Sequence, residues 1–83
     1  MSGQFTDAIG AGQMSVDLLR RAGRVRETAL SLVSLGDLLR EAGEPAAAVE
    51  AFAEALSSLG TMGDRSKSSY CRQQIDELSM SLS

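Results

Sequence analysis

The 83-residue chain carries eight Lys and Arg against eleven Asp and Glu, a net charge of -3, with no histidine and one cysteine. That balance excludes a general pull toward phosphate backbones or anionic lipid, and the missing imidazole removes zinc sites and histidine-dependent nucleophiles. The length allows one small domain, and a lone Cys71 cannot form an internal disulfide, so packing alone must hold the fold in a reducing, cytoplasmic setting.

The opening residues, Met1 to Asp7, lack the charged and apolar regions of a secretory signal, and no run reaches the roughly 18 apolar residues of a membrane span. A soluble protein is expected. Leu and Ala dominate, and Pro45 is the single proline, a composition that favours helix throughout. Four helices separated by glycines are predicted.

The first spans about 2–22, with Phe5, Ala8, Ile9, Gly12, Val16 and Leu19 at helical spacing. Ala11, Met14, Leu18 and Ala22 form a second stripe beside it, which predicts cover over a wide face. The second helix spans about 24–42, its core stripe running through Val25, Ala29, Leu32, Leu35, Gly36 and Leu39, and Gly43 stands where a left-handed C-terminal cap is wanted. The third starts at Pro45, a favourable first helical position, buries Ala48, Val49, Phe52, Ala55, Leu56 and Leu59, and is expected to stop at Gly60. The fourth, capped by Asp64 or Ser66, carries Cys71, Ile75, Leu78 and Leu82. Short connections between such helices force antiparallel neighbours, so the fold class is all-α, built of antiparallel helix hairpins.

One stretch is more specific. Leu32, Leu35, Gly36 and Leu39, then Gly43, then Ala48, Phe52 and Ala55, set small residues against large ones across a helix pair. In this pattern residues 29–60 resemble a tetratricopeptide repeat, with two departures: Leu32 stands for the family's first aromatic residue, and Gly60 for its closing proline. The resemblance implies a short solenoid in one domain of residues 1–83, made of a preceding helix over 1–22, a repeat-like hairpin over 24–60 and a capping helix over 64–82. A generic four-helix bundle is the alternative architecture.

The resemblance also implies a use. The family holds peptides or helices of partner proteins on the inner face of its first helices. Here that face corresponds to Leu30, Val33, Ser34, Asp37, Arg40 and Glu41, with Leu30 and Val33 as the apolar contacts off the core stripe. Family members that grip a C-terminal carboxylate place Lys and Asn where this chain has Val33 and Asp37, so that mode is not expected.

The acidic pairs Glu50 with Glu54 and Asp37 with Glu41 fit a solvated face better than a metal or acid–base site, and Gly10 and Gly12 lie inside a helical pattern and form no phosphate loop. Cys71, on the face of Ile75 and Leu78, reads as a buried apolar residue. No enzyme activity, cofactor, metal, nucleic acid, membrane or small-molecule substrate is expected. Arg20, Arg21, Arg24 and Arg26 crowd the first connection and form a candidate basic patch for docking an acidic surface of a partner or of another copy. Self-assembly into a homo-oligomer is the second functional expectation, and the serines Ser66, Ser68 and Ser69 near a helix start are candidate phosphorylation sites.

Overall fold

The computed structural model describes residues 3–82, with side chains from Phe5 onward. It contains α1 (Gly3–Arg21), α2 (Val25–Glu41), α3 (Pro45–Met62) and α4 (Arg65–Leu82). The fold is all-α, a row of antiparallel helix hairpins. Ser2, the expected first helical residue, lies outside the described residues.

The three turns are built alike. Gly23, Gly43 and Gly63 stand 20 residues apart, each with φ between 72° and 78°, a region that only glycine enters without strain. At each turn the glycine N–H donates to the carbonyl three residues back, and the next N–H donates to a leucine carbonyl five residues back: Arg24 to Leu19, Glu44 to Leu39 and Asp64 to Leu59. These bonds satisfy carbonyls that a helix end leaves unpaired. At the fourth residue of each new helix, the buried small residues Thr28, Ala48 and Ser68 let it approach its predecessor.

This period corrects one boundary. α3 continues past Gly60 to Met62, because Gly60 keeps a right-handed backbone and Gly63 is the residue that turns left-handed. Asp64 then caps α4, its Oδ1 accepting from the Lys67 N–H at 3.1 Å, so Ser66 is not the cap.

The helices pack in chain order, α1 on α2, α2 on α3 and α3 on α4; no comparably extensive contact links helices that are not consecutive. α2 and α4 run parallel: Arg26, Asp37 and Arg40 of α2 meet Asp64, the cap of α4, and Tyr70 and Gln74 within it in the same order. The outcome is a flattened stack with extents of 36 × 28 × 16 Å, whose two end helices each keep one side uncovered.

The core runs through the stack: Val16 of α1, Leu32, Leu35 and Leu39 of α2, Phe52, Ala55 and Leu59 of α3, and Cys71 and Leu78 of α4. Phe52, Leu59 and Cys71 are fully enclosed. Each large side chain buried this way stabilises the fold by about 2 kcal/mol in transfer free energy. Helix ends limit the expected stripes. Val25, in the first turn of α2, and Leu82, in the last turn of α4, are 59% and 52% exposed. The second stripe of α1 is also uncovered, with Met14 and Leu18 at 67% and 64% exposure.

Candidate functional site

The side chains expected to line an inner face lie on α2, and the structure divides them by their position around that helix. Arg40 and Asp37 turn toward α4. Tyr70 donates its hydroxyl hydrogen to Asp37 Oδ1, and Arg40 donates to Gln74 Oε1 and, at 3.4 Å, to the Tyr70 oxygen. Arg40 also lies 3.5 Å from Asp37 Oδ1 and 3.4 Å from Glu41 Oε2. Phe52 sits beneath this network, its ring 6.0 Å from that of Tyr70 in an edge-to-face arrangement.

The network shifts its members in directions that follow from these contacts. Hydrogen bonding to Tyr70 raises the Arg40 guanidinium above its ordinary value. Burial, then the hydrogen bond to Asp37, pushes the Tyr70 phenol up. Burial also raises the Cys71 thiol, with Asp37 adding to the effect. Asp37 and Arg40 therefore serve first to join α2 and α4, a role the sequence pattern did not indicate. Tyr70 and Gln74, their partners, were not recognised in the sequence because they belong to α4, outside the repeat-like stretch.

Val33 is half-buried and packs against the core, whereas Leu30 borders a shallow hollow with Gly12, Ser15, Ser34 and Leu38. Ser34 and Glu41 are exposed. Leu30, Ser34, Asp37 and Glu41 recur at intervals of four, three and four, so they share one side of α2. Glu27 of α2 and Glu77 of α4 are also exposed, Glu27 beside Arg24 and Glu77 beside Gln73.

The four arginines of the basic corner are each ion-paired within the chain. Arg20 meets Glu54 of α3, and Arg21 lies 3.2 Å from Asp17. Arg24 lies 3.0 Å from Glu27, and Arg26 lies 3.5 Å from Asp64. Two of the pairs, Arg20 with Glu54 and Arg26 with Asp64, link helices two apart in the stack. The arginines remain at least half exposed, but their charge is matched locally. Asp64 is held below the usual carboxylate range chiefly by the Lys67 N–H, and Glu27 chiefly by its own backbone N–H and by Arg24.

The serines of the α4 start are not alike: Ser66 and Ser69 are exposed, while Ser68 is buried and its hydroxyl has no hydrogen-bond partner among the described residues. At the equivalent place on α2, Thr28 donates to the Arg24 carbonyl at 2.6 Å. Among the described residues no cluster of three or more metal-ligating side chains occurs, and no helix is long and apolar enough to cross a membrane.

No family model, curated protein or solved structure matches the chain. The functional reading rests on the chain's own geometry.

Proposed function

We propose that this protein is a non-catalytic interaction module, similar to a short tetratricopeptide-repeat solenoid, that holds a basic helix or peptide of a partner protein along the side formed by α2 and α4. The packing order carries the proposal. Because α1 and α4 do not close on one another as in a sealed bundle, the stack keeps an open side, where Leu30 and Ser34 share one side of α2 with Asp37 and Glu41. Leu30 flanked by Asp37 and Glu41, whose carboxylates meet Arg40 but stay partly exposed, suits an amphipathic segment with Lys or Arg around its apolar positions.

The small-against-large arrangement of the repeat motif supports the same reading: Gly36 rests on the Phe52 ring, and Ala48 and Ala55 are fully buried beside it. The helices are longer than in the family, since the turns recur every 20 residues and a helix pair therefore spans 40, against about 34 for a tetratricopeptide repeat.

Fluorescence anisotropy with two helical peptides, identical at their apolar positions and carrying either lysines or glutamates elsewhere, tests the proposal. The lysine peptide should bind, more weakly as salt rises, and Ser34→Lys with Glu41→Lys should weaken it about tenfold or more. Equal binding of both peptides, or no loss in the double variant, would overturn it. Val33 is unsuitable for this test, because its half-buried side chain packs against the core.

A further inference from the structure

Along α1, Asp7, Ala11, Met14, Leu18 and Arg21 follow one another at intervals of four, three, four and three, and all five are exposed. Alternation of that kind gathers residues into a seam along one side of a helix and is the spacing at which two helices pack lengthwise. A different side of α1, with Ile9, Gly12 and Val16, faces the core. The opposite end of the stack contrasts with this seam, for the outer side of α4 carries exposed Arg65, Arg72, Asp76 and Ser79. On α4 the exposed apolar residues Met80 and Leu82 lie in the last turn, whereas Met14 and Leu18 lie within α1.

The α1 seam is complementary to itself. Asp7 lies seven residues before Met14 and Arg21 seven after it, about 10 Å away on either side along the helix. In a second copy laid antiparallel about a two-fold axis at Met14, Asp7 of each chain meets the partner's Arg21 and the two Met14 side chains meet on the axis. Leu18 then comes opposite the partner's Gly10, a position with no atom within 4 Å of where its Cβ would stand. A parallel arrangement would instead set Asp7 against Asp7 and Arg21 against Arg21. Arg21 is paired within its own chain to Asp17, but both are more than half exposed, and such a pair holds the guanidinium weakly.

We propose that the chain forms an antiparallel homodimer through this α1 seam, with Met14 on the two-fold axis and reciprocal Asp7–Arg21 pairs at its ends. The contact is isologous and closes with two copies. It uses neither α2 nor α4, so it stands or falls separately from the peptide-binding face.

Sedimentation equilibrium of the full chain from about 1 µM to about 200 µM tests it. The native chain should dimerise, and Leu18→Glu, Asp7→Arg and Arg21→Asp should each raise the dissociation constant about tenfold or more, with far-UV circular dichroism unchanged. Combining Asp7→Arg with Arg21→Asp should restore dimerisation to within about threefold of the native value. A native chain monomeric throughout, a dimer indifferent to the single substitutions, or a double variant no better than the singles would overturn the proposal.

Discussion

Gly36 of α2 lies so close to the Phe52 ring that a Cβ added there would stand 2.8 Å from two ring carbons. Contact this close lets α2 and α3 approach and leaves Phe52 fully buried, where its ring also meets Tyr70. One missing methyl group thereby sets the spacing of three helices.

Gly36→Ala should therefore destabilise the fold although alanine favours helix. The propensity gain of about 1 kcal/mol is opposed by overpacking of about 1–3 kcal/mol, with Phe52 enclosed on every side. Urea unfolding should give a lower midpoint, and adding Phe52→Leu, which removes the ring, should recover part of the Gly36→Ala loss. A midpoint that rises on Gly36→Ala alone would contradict the close contact.

The opposite result is expected at Gly60. It lies within α3, its φ is not positive, and nothing stands within 4 Å of a Cβ placed there. Gly60→Ala should raise stability by about 0.5–1 kcal/mol through helix propensity alone. Gly63→Ala should lower it, because the left-handed turn at φ 76° excludes a side chain. Measured together, the two substitutions distinguish an internal helical glycine from the one that ends the helix.

The helices were legible in the sequence because apolar spacing and glycine punctuation act locally. The small-against-large match of Gly36 with Phe52 was legible too, since the motif places both. The end of α3 was not: Gly60 and Gly63 look alike in a sequence, and only the 20-residue recurrence of the turns separates them. The ties between α2 and α4 were also hidden. Asp37 and Arg40 carry the charge of solvated residues, and what holds them is Tyr70 and Gln74, some 33 and 34 residues away. Exposure at Val25 and Leu82 escaped for a related reason, as periodicity does not report how well a helix end is covered.

Tyr70 is the chain's single tyrosine, which makes its ionisation directly visible in the ultraviolet. Burial and the bond to Asp37 raise its pKa in the folded state. Its contribution to stability is thus fully present below the unfolded value of about 10 and is lost as pH rises through the higher folded value. Absorbance titration should give a midpoint above that of free tyrosine, and Asp37→Asn should lower it by removing the carboxylate. A midpoint unmoved by Asp37→Asn would mean that the carboxylate does not govern the phenol.

Asp64 gives the opposite pH dependence. Its carboxylate accepts the Lys67 N–H, lies 3.5 Å from Arg26 and 3.7 Å from Lys67, and is held below its ordinary pKa chiefly by the backbone bond. For a depressed group, the contribution is present above the unfolded carboxylate pKa and disappears as pH falls through the lower folded one. Stability should therefore decline on acidification from about pH 5 toward pH 2, with part of the slope belonging to Asp64. Asp64→Ala should lower the melting temperature by a few degrees at neutral pH, where the cap is charged, and by much less at pH 2. Equal losses at both pH values would assign the effect to packing, leaving the charged cap without a role in holding α4 to the stack.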